Sequence, residues 1–319
     1  SQVDTPLVTW SWDFGDGNAA SGPQVDHTYT QPGTYDIILT GIDALGCVGR
    51  DTLVQGVQVL TPPSAAMVLS DTANCPPFTL QAVDSSQSSG LSVDRQWEMG
   101  NGRTASFPNA VSTYNTPGNY TINLTVTDNA GCVDSTSRNI EVYGPPQTNF
   151  LASKTLACVG ETISFADVSQ GNAQIGNWFW DFGDGNTSLL QNPSHVYTQS
   201  GTYDVTLVIF DARGCSDTLL QSNLIRVTQP QAAFTVTGQP GCPGTSVSFQ
   251  EGSIADTLLT GWNWDFGDGT TGTGNAPSHQ YNDPGFYDVT LIVSNLLGCS
   301  DTLVIPNAVE IFQPPRAYF

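Results

Sequence analysis

The fold is decided by residues 264–269, the six-residue stretch WDFGDG, which the chain repeats. The same six letters begin at Trp12 and at Trp180, and a degenerate copy, WEMGNG, begins at Trp97. The four tryptophans are therefore almost evenly spaced along the chain. A period of about 84 residues indicates an array of small, similar domains and not one large domain.

Constant spacings surround each of the four tryptophans. A tyrosine and then a cysteine follow each of them at distances that do not change between copies, at Tyr35, Tyr120, Tyr203, Tyr287 and at Cys47, Cys132, Cys215, Cys299. A further cysteine precedes the last three tryptophans, again at a constant distance, at Cys75, Cys158 and Cys242. The length varies only between copies, in proline-rich connections that are short and semi-rigid. We therefore predict four domains, at 1–60 (truncated at its N-terminal side), 61–143, 144–227 and 228–312, with residues 313–319 opening a further repeat.

Each repeat has the pattern of short β-strands. In the fourth repeat, residues 233–237 and 245–249 alternate apolar and polar side chains, which is typical of half-buried strands. Trp262, Trp264 and Phe266 fall on one face of an extended segment because strand side chains alternate. No segment shows a sustained helical period. About seven short strands per repeat predict an all-β chain of tandem immunoglobulin-like β-sandwiches.

Three motifs in each repeat identify a family. In the fourth repeat they are WDFGDG at 264–269, PSHQY at 277–281 and PGFYDV at 284–289, and the first and third repeats have counterparts. The repeats resemble the PKD domain. The second repeat departs from the pattern, with Glu98, Met99, Asn101 and Ser112 at motif positions. The resemblance implies a β-sandwich, an extracellular setting and no catalysis, as in arrays of Bacteroidetes-type bacterial surface adhesins or filaments.

The charge of the chain excludes one class of partner. The formal net charge is -21, and Lys154 is the single lysine. Such a chain repels phosphate backbones, so nucleic acid is not expected as a partner. The longest apolar run, residues 205–210, is far shorter than the roughly 20 residues that a membrane span needs, so membrane insertion of this segment is not expected either.

The cysteines indicate an oxidising compartment. Each complete repeat has one pair, and the spacing within the pair is the same in all three. This regularity predicts disulfides inside each domain, namely Cys75–Cys132, Cys158–Cys215 and Cys242–Cys299, in a secreted or surface-exposed protein. Buried free thiols are the alternative interpretation, since free cysteine is often buried.

No motif predicts catalysis, so we expect no catalytic residues, and the chain is not expected to be an enzyme. Asp265 and Asp268 offer carboxylates to calcium, but their loop lacks EF-hand spacing and Asp-Gly forms tight turns. We therefore expect a turn, with no metal or other cofactor, and leave calcium at the linkers open. The histidines His27, His195 and His279 belong to separate repeats and are predicted to pack. The four repeated tyrosines are predicted to form tyrosine corners.

A last recurrence follows the second cysteine of each repeat. Asp-Thr-Leu, or Asp-Ser-Thr in the second repeat, resembles the O-glycosylation consensus of Bacteroidetes secreted proteins. It predicts O-linked glycans at Thr52, Ser135, Thr218 and Thr302. The alternative is a strand start with a solvated aspartate and a β-branched threonine.

Together these features predict a non-catalytic, extracellular stalk or spacer of a large repetitive surface adhesin or filament. Its partners would be neighbouring repeats, other copies of itself, or glycans and proteins of the cell surface. Two alternatives remain at this point. One is a glycan-binding accessory array of a secreted hydrolase, and the other is a laterally packed homo-oligomeric surface filament.

Overall fold

The computed structural model describes residues 6–88, 93–238 and 240–315, and every regular element in them is a β-strand. The chain divides into two compact units, residues 1–143 with the first two repeats and residues 144–319 with the last two. Residues 1–5 and 316–319, where parts of the truncated first domain and of the further repeat were predicted, lie outside the described residues. No helix in the described part of the chain has the length and apolar character needed to cross a membrane.

The first repeat has one described sheet of four strands: β1 (Leu7–Asp13), β2 (Ala19–Ser21), β3 (Gly33–Asp43) and β4 (Val48–Val59). Their order in the sheet is β2-β1-β3-β4.

The described residues of the second repeat form two sheets with eight strands: β5 (Met67–Leu69), β6 (Ala73–Asn74), β7 (Phe78–Asp84), β8 (Val93–Glu98), β9 (Thr104–Ala105), β10 (Asn109–Tyr114), β11 (Gly118–Asp128) and β12 (Val133–Val142). The sheet orders are β10-β7-β5 and β6-β12-β11-β8-β9, and only the β6–β12 pair is parallel.

The third repeat has the same plan, with β13 (Phe150–Ala152), β14 (Leu156–Cys158), β15 (Thr162–Asp167), β16 (Ile175–Asp181), β17 (Thr187–Ser188), β18 (Ser194–Val196), β19 (Gly201–Asp211) and β20 (Ser216–Thr228). Its sheets are ordered β13-β15-β18 and β14-β20-β19-β16-β17.

The fourth repeat contains β21 (Phe234–Thr237), β22 (Ser246–Glu251), β23 (Leu259–Asp265), β24 (Thr271–Thr273), β25 (Ser278–Gln280), β26 (Gly285–Asn295) and β27 (Ser300–Ile311). Its sheets are ordered β21-β22-β25 and β24-β23-β26-β27, and Gly241 makes a single parallel bridge to Ile311 in place of a further strand.

Each of the last three repeats closes around its own core. The apolar positions of the alternating strands face inward from both sheets, as expected for a sandwich. The motif tryptophan is the central side chain, and Trp97, Trp180 and Trp264 are at most 1% exposed. In the first repeat, whose described part has one sheet, Trp12 is only half-buried. The prediction of tandem all-β, immunoglobulin-like domains is confirmed.

Candidate functional site

The WDFGDG motif folds as a tight turn that closes the end of β16. In the third repeat, Asp181 Oδ1 accepts a hydrogen bond from the Gly183 amide at 2.9 Å, and Phe182 N donates to Asn186 O at 3.2 Å. Gly183 has φ +80°, and a Cβ there would overlap the backbone oxygen of Asp204. This position therefore requires glycine both for its left-handed backbone and for the close approach of β19.

The second aspartate of the motif is paired with the repeated histidine. Asp184 Oδ2 lies 2.8 Å from His195 Nε2, and the His195 ring stacks on Phe182 at 4.3 Å with an interplanar angle of 2°. The fourth repeat has the same arrangement in Asp268 and His279, at 2.7 Å. The histidines are thus held by a carboxylate and an aromatic ring, which agrees with their predicted packing role.

This environment shifts the acidity of the aspartate. Burial raises the pKa of Asp184, but hydrogen bonds from His195 and Asn186 oppose burial and bring the net pKa below its ordinary value. The same balance lowers the pKa of Asp268, where Thr270 and His279 are the donors. The ionised carboxylate is therefore the form that this turn stabilises.

The tyrosines complete the structural use of the motifs. The Tyr203 hydroxyl donates to Gln199 O at 2.9 Å, four residues upstream, which is the geometry of the predicted tyrosine corner. The neighbouring Tyr197 donates to Phe182 O at 3.0 Å and stacks on Tyr203 at 4.3 Å. Burial, and after it the nearby charge of Asp184, raises the pKa of Tyr197, so its hydroxyl stays a donor.

The aspartates considered for calcium have other partners. Asp265 Oδ1 accepts the Gly267 amide at 3.0 Å, and Asp268 Oδ1 accepts both the amide and the hydroxyl of Thr270. The second oxygen of Asp268 faces His279. Because these oxygens already stabilise the turn, the structure favours the turn interpretation. No cluster of three or more metal-ligating side chains occurs among the described residues, and the expected absence of a metal stays a prediction.

The recurring Asp-Thr-Leu has a structural role that sequence reasoning missed. Asp217 Oδ2 accepts the backbone amide of Thr148 at 2.8 Å and so fastens the opening segment of the third repeat. Asp134 and Asp301 do the same for Ala65 and Ala232. The neighbouring residues predicted to be glycosylated are exposed on strands: Thr52, Ser135, Thr218 and Thr302. Their glycosylation stays a prediction, and the hydrogen bond explains the recurrence of the aspartate.

A bulge in the last strand of the repeat was also missed. Asp204 Oδ1 accepts the amide of Asn223 at 2.6 Å, where Asn223 has φ 53° and the register of β19 and β20 shifts. Asp288 and Asn307 repeat this arrangement in the fourth repeat. In the second repeat Thr121 replaces the aspartate and the β11–β12 register is continuous. The bulge therefore accounts for part of the length variation after the second cysteine, namely the shorter distance in the second repeat.

The predicted disulfide pairing is wrong. Cys158 of the third repeat bonds Cys299 of the fourth, with their Cα atoms 5.3 Å apart. This bond contradicts both Cys158–Cys215 and Cys242–Cys299, and Cys132 is a free thiol, which contradicts Cys75–Cys132. Among the described residues the free cysteines are Cys47, Cys132 and Cys242, while Cys75 and Cys215 are disulfide-bonded.

The course of β20 explains why the two cysteines of the third repeat do not pair with each other. Cys158 pairs with Thr228 at the end of β20, whereas Cys215 directly precedes the start of that strand. The length of β20 places the two cysteines roughly 40 Å apart, and a disulfide needs Cα atoms within about 7 Å. The constant spacing within a pair follows from the repeat itself, so it could not identify which cysteines meet.

Polar contacts adjoin the inter-repeat disulfide. Arg226, near the end of β20, donates to the backbone oxygen of Asp256 at 3.1 Å and to its carboxylate at 3.3 Å. The hydroxyl of Thr228 also donates to that carboxylate. The third and fourth repeats are therefore joined by a covalent bond and by hydrogen bonds, in addition to their linker.

An apolar groove of about 640 Å³ occurs on the outer face of the third repeat. Its floor includes Phe179 and Phe210, which are 40% and 39% exposed, and its rim includes Leu189 and Leu190. The positions equivalent to Phe179 and Leu189 hold Ser, Thr, Asn or Gln in the other three repeats. The apolar side chains at these two positions are thus specific to this repeat.

Comparison with known proteins agrees with the repeat structure. A family model described as the PKD domain matches residues 1–59, 61–142, 143–227 and 227–310. Human polycystin-1 is 26% identical over 96% of this chain, which covers 7% of polycystin-1. The pre-pro-metalloprotease PrtV of Vibrio cholerae is 32% identical over 43% of this chain and 15% of that protein.

Solved structures include the PKD1 domain of the Vibrio cholerae metalloprotease PrtV. It is 26% identical, covers 26% of this chain and 98% of that chain, and has a TM-score of 0.23. The chain spans at most 15% of the length of the two relatives described above. With four tandem matches that cover nearly all of its residues, the chain belongs to the PKD domain family.

Proposed function

We propose that this chain is a non-catalytic extracellular spacer in a larger surface or secreted protein. The observation that carries the proposal is the Cys158–Cys299 bond, which joins two consecutive repeats instead of closing one. A disulfide inside a domain stabilises that domain alone. A disulfide between domains also fixes their separation, which is useful to a spacer, and the motif residues that could serve catalysis already have structural partners.

The extracellular setting is supported by the disulfide, since such bonds persist in oxidising compartments. The excess of acidic residues supports the same setting, because a net charge of -21 favours solubility and keeps neighbouring copies apart. The stalk of a bacterial surface adhesin or filament is the context that we propose.

Single-molecule stretching of the full chain tests the spacer function. The bonded cysteines are 141 residues apart, so this bond alone withholds about 480 Å of extension. Full extension of the oxidised chain should stop at least that far short of the length reached after reduction, which also cleaves the disulfides of Cys75 and Cys215. The force needed to separate the third and fourth repeats should also be higher while the bond is intact. Cys242→Ser, which removes a free thiol, is the matched control and should change neither quantity. Equal separation forces for the oxidised and reduced chain would contradict a role of the bond in resisting tension.

Glycan binding is a second candidate, because the groove at Phe179 and Phe210 presents aromatic faces on which a sugar ring could stack. Trp178 also lines this groove, and its indole nitrogen donates a hydrogen bond to Asp167 Oδ2 at 2.7 Å. Calorimetric titration with neutral oligosaccharides tests this function, and Phe179→Ser should abolish binding. Asn263→Ser, at the equivalent position of the fourth repeat, is the control. Absence of heat for every neutral glycan tried would remove this candidate.

A further inference from the structure

The two cysteines of a repeat occupy opposite ends of its sandwich. Those that precede the tryptophan are here termed first-position cysteines: Cys75, Cys158 and Cys242. Those that follow it are termed second-position cysteines: Cys47, Cys132, Cys215 and Cys299. Cys158, a first-position cysteine, lies beside the end of the last strand of its repeat. Cys299, a second-position cysteine, lies in the turn between β26 and β27, where Asn295 Oδ1 accepts its amide at 3.0 Å.

This placement fixes which cysteines can meet. The end of the last strand of a repeat adjoins the following repeat, and the β26–β27 turn lies at the end of the fourth repeat that adjoins the third. The bond Cys158–Cys299 is the result. It gives a simple rule, by which a first-position cysteine bonds the second-position cysteine of the next repeat.

The rule accounts for the free thiols. The sequence has no cysteine before Cys47 and none after Cys299. The rule therefore offers no partner within these 319 residues to Cys47, Cys132 or Cys242, and these are the free cysteines among the described residues. A rule based on pairing within the repeat would leave only Cys47 without a partner, which the structure contradicts.

Cys242 is already placed like its bonded counterpart. The preceding Gly241 bridges to Ile311 at the end of β27, and the Cys242 amide donates to Thr245 Oγ1 at 3.2 Å. The Cys158 amide donates in the same way, to Glu161 at 2.9 Å, and Cys158 lies beside Thr228 at the end of β20. The Cys242 thiol is exposed at the end of its repeat that matches the bonded end of the third.

We propose that Cys242 is a disulfide-forming site for the second-position cysteine of a PKD repeat placed directly after the fourth. By the same rule, Cys47 and Cys132 take first-position cysteines of repeats before their own. In such an array, each disulfide links two consecutive repeats. This inference does not depend on the spacer function, because it concerns only which thiols pair.

The bond forms by exchange with a small oxidised disulfide such as oxidised glutathione. The Cys242 thiolate attacks one glutathione sulfur and expels the other as a thiol, which gives a mixed disulfide. The incoming cysteine thiolate then attacks Cys242 Sγ and expels the second glutathione. Two protein thiols are oxidised and one glutathione disulfide is reduced, and the two protons that the protein thiols lose are taken up by the two released glutathione thiolates.

The test joins a second copy of residues 229–312 directly after residue 312, in place of residues 313–319, and the copy's first-position cysteine is serine. After refolding in a glutathione redox buffer, we expect alkylation to label only Cys47 and Cys132. Peptide mapping should find Cys158 and Cys242 each linked to a peptide that contains a second-position cysteine. That peptide has the same sequence in the fourth repeat and in the added copy. The unextended chain should keep Cys242 alkylated.

The control is the same extension with both cysteines of the added copy replaced by serine. Cys242 should then be alkylated to the same extent as in the unextended chain. If Cys242 stays free beside an added second-position cysteine, or if it pairs with Cys47 or Cys132 instead, the rule is wrong. The near-ultraviolet tryptophan signal of the added repeat shows whether that repeat is folded. If it is folded and Cys242 is still free, the result counts against the proposal.

Discussion

The second and third repeats build the same sandwich from different motif residues. The third has Phe182, Asp184 and His195, which stack and pair, whereas the second has Met99, Asn101 and Ser112 at the same positions. In the second repeat Asn101 Nδ2 donates to Ser112 Oγ at 2.9 Å, so the contact across the turn survives without any charge. Both repeats thus have a hydrogen bond at this place, and the fold does not need a carboxylate there.

What the two repeats share identifies the indispensable positions. Trp97 and Trp180 are both fully buried, and their indole nitrogens donate to backbone oxygens at 2.9 Å, ten residues downstream. Gly100 and Gly183 both have positive φ, and a Cβ on either would overlap the backbone oxygen of the facing strand. The difference between the repeats thus separates residues that define the fold from residues that adjust it.

The largest expected effect comes from the shared tryptophan. Trp180→Ala and Trp97→Ala should each destabilise their own repeat by about 3–5 kcal/mol, because each leaves a cavity in a small core. Calorimetry of the full chain should show one transition moving to lower temperature in each variant. Trp12→Ala, at a half-buried position of the first repeat, should have the smaller effect. A large loss in the third repeat and none in the second would show that the two cores are not equivalent.

The next effect concerns the two glycines of the turn. Gly183→Ala should cost more than about 2 kcal/mol, since a left-handed backbone costs roughly 1–2 kcal/mol for a residue with a Cβ and the facing backbone must also move. Gly185 has φ +90°, but a Cβ there would have no atom within 4 Å. Gly185→Ala should therefore lower the stability only by the backbone cost of about 1 kcal/mol. Chemical denaturation measures both. Equal losses would mean that the contact with Asp204 is relieved without cost.

Much of the fold was predictable, because the repeat period, the alternation of apolar residues and the turn glycines are local signals. Alternation alone predicts that Trp262, Trp264 and Phe266 share the inward face of their strand, where the last two are buried and Trp262 is partly buried. The tyrosine corner follows from the position of Tyr203 just after its turn. The pairing of Asp184 with His195 also left a signal. Both change together in the second repeat, to Asn101 and Ser112, so the chain's own repeats contain the covariation.

The disulfides were not predictable in the same way. In a periodic chain, the spacing within a repeat and the spacing across a junction are both nearly constant, so neither singles out a bond. The deciding fact is three-dimensional: β20 separates Cys158 from Cys215 by the whole length of the sandwich. Likewise, the groove at Phe179 depends on Leu189, which follows β17, and on Phe210 of β19, so no single segment revealed it.

A smaller effect is expected at the bulge, the second feature that separates the two repeats. Asp204→Ala removes the acceptor for the Asn223 amide and should destabilise the third repeat by about 1.5–2 kcal/mol, at the lower end of the range for hydrogen bonds to charged groups. Thr121→Ala is the matched variant in the second repeat. There the ladder is regular and the change should stay within about 0.5 kcal/mol. Hydrogen exchange at Asn223 should rise in the first variant, and unchanged protection would show that the bulge does not depend on Asp204.

The smallest effect at neutral pH, and the sharpest test of the comparison, is to give the third repeat the uncharged pair of the second. Asp184→Asn together with His195→Ser should cost less than about 1 kcal/mol at pH 7, because the second repeat folds with Asn and Ser at these positions. The difference should emerge in acid. The pKa of Asp184 in the folded chain lies below its ordinary value of 3.8, so its stabilisation is complete above that value and is lost as the pH falls through the lower, folded pKa.

The wild-type third repeat should therefore lose stability as the pH falls below about 4, and the double variant should lose less. Some acid sensitivity should remain, since the pKa of Asp167 in the same repeat is also lowered. Asp268→Asn with His279→Ser is the matched change in the fourth repeat and should flatten the acid response there alone. Hydrogen exchange resolved by repeat, measured across this pH range, follows each one separately. If the double variant and the wild type lose stability in parallel, the carboxylate–histidine pair has no stabilising role that the uncharged pair lacks.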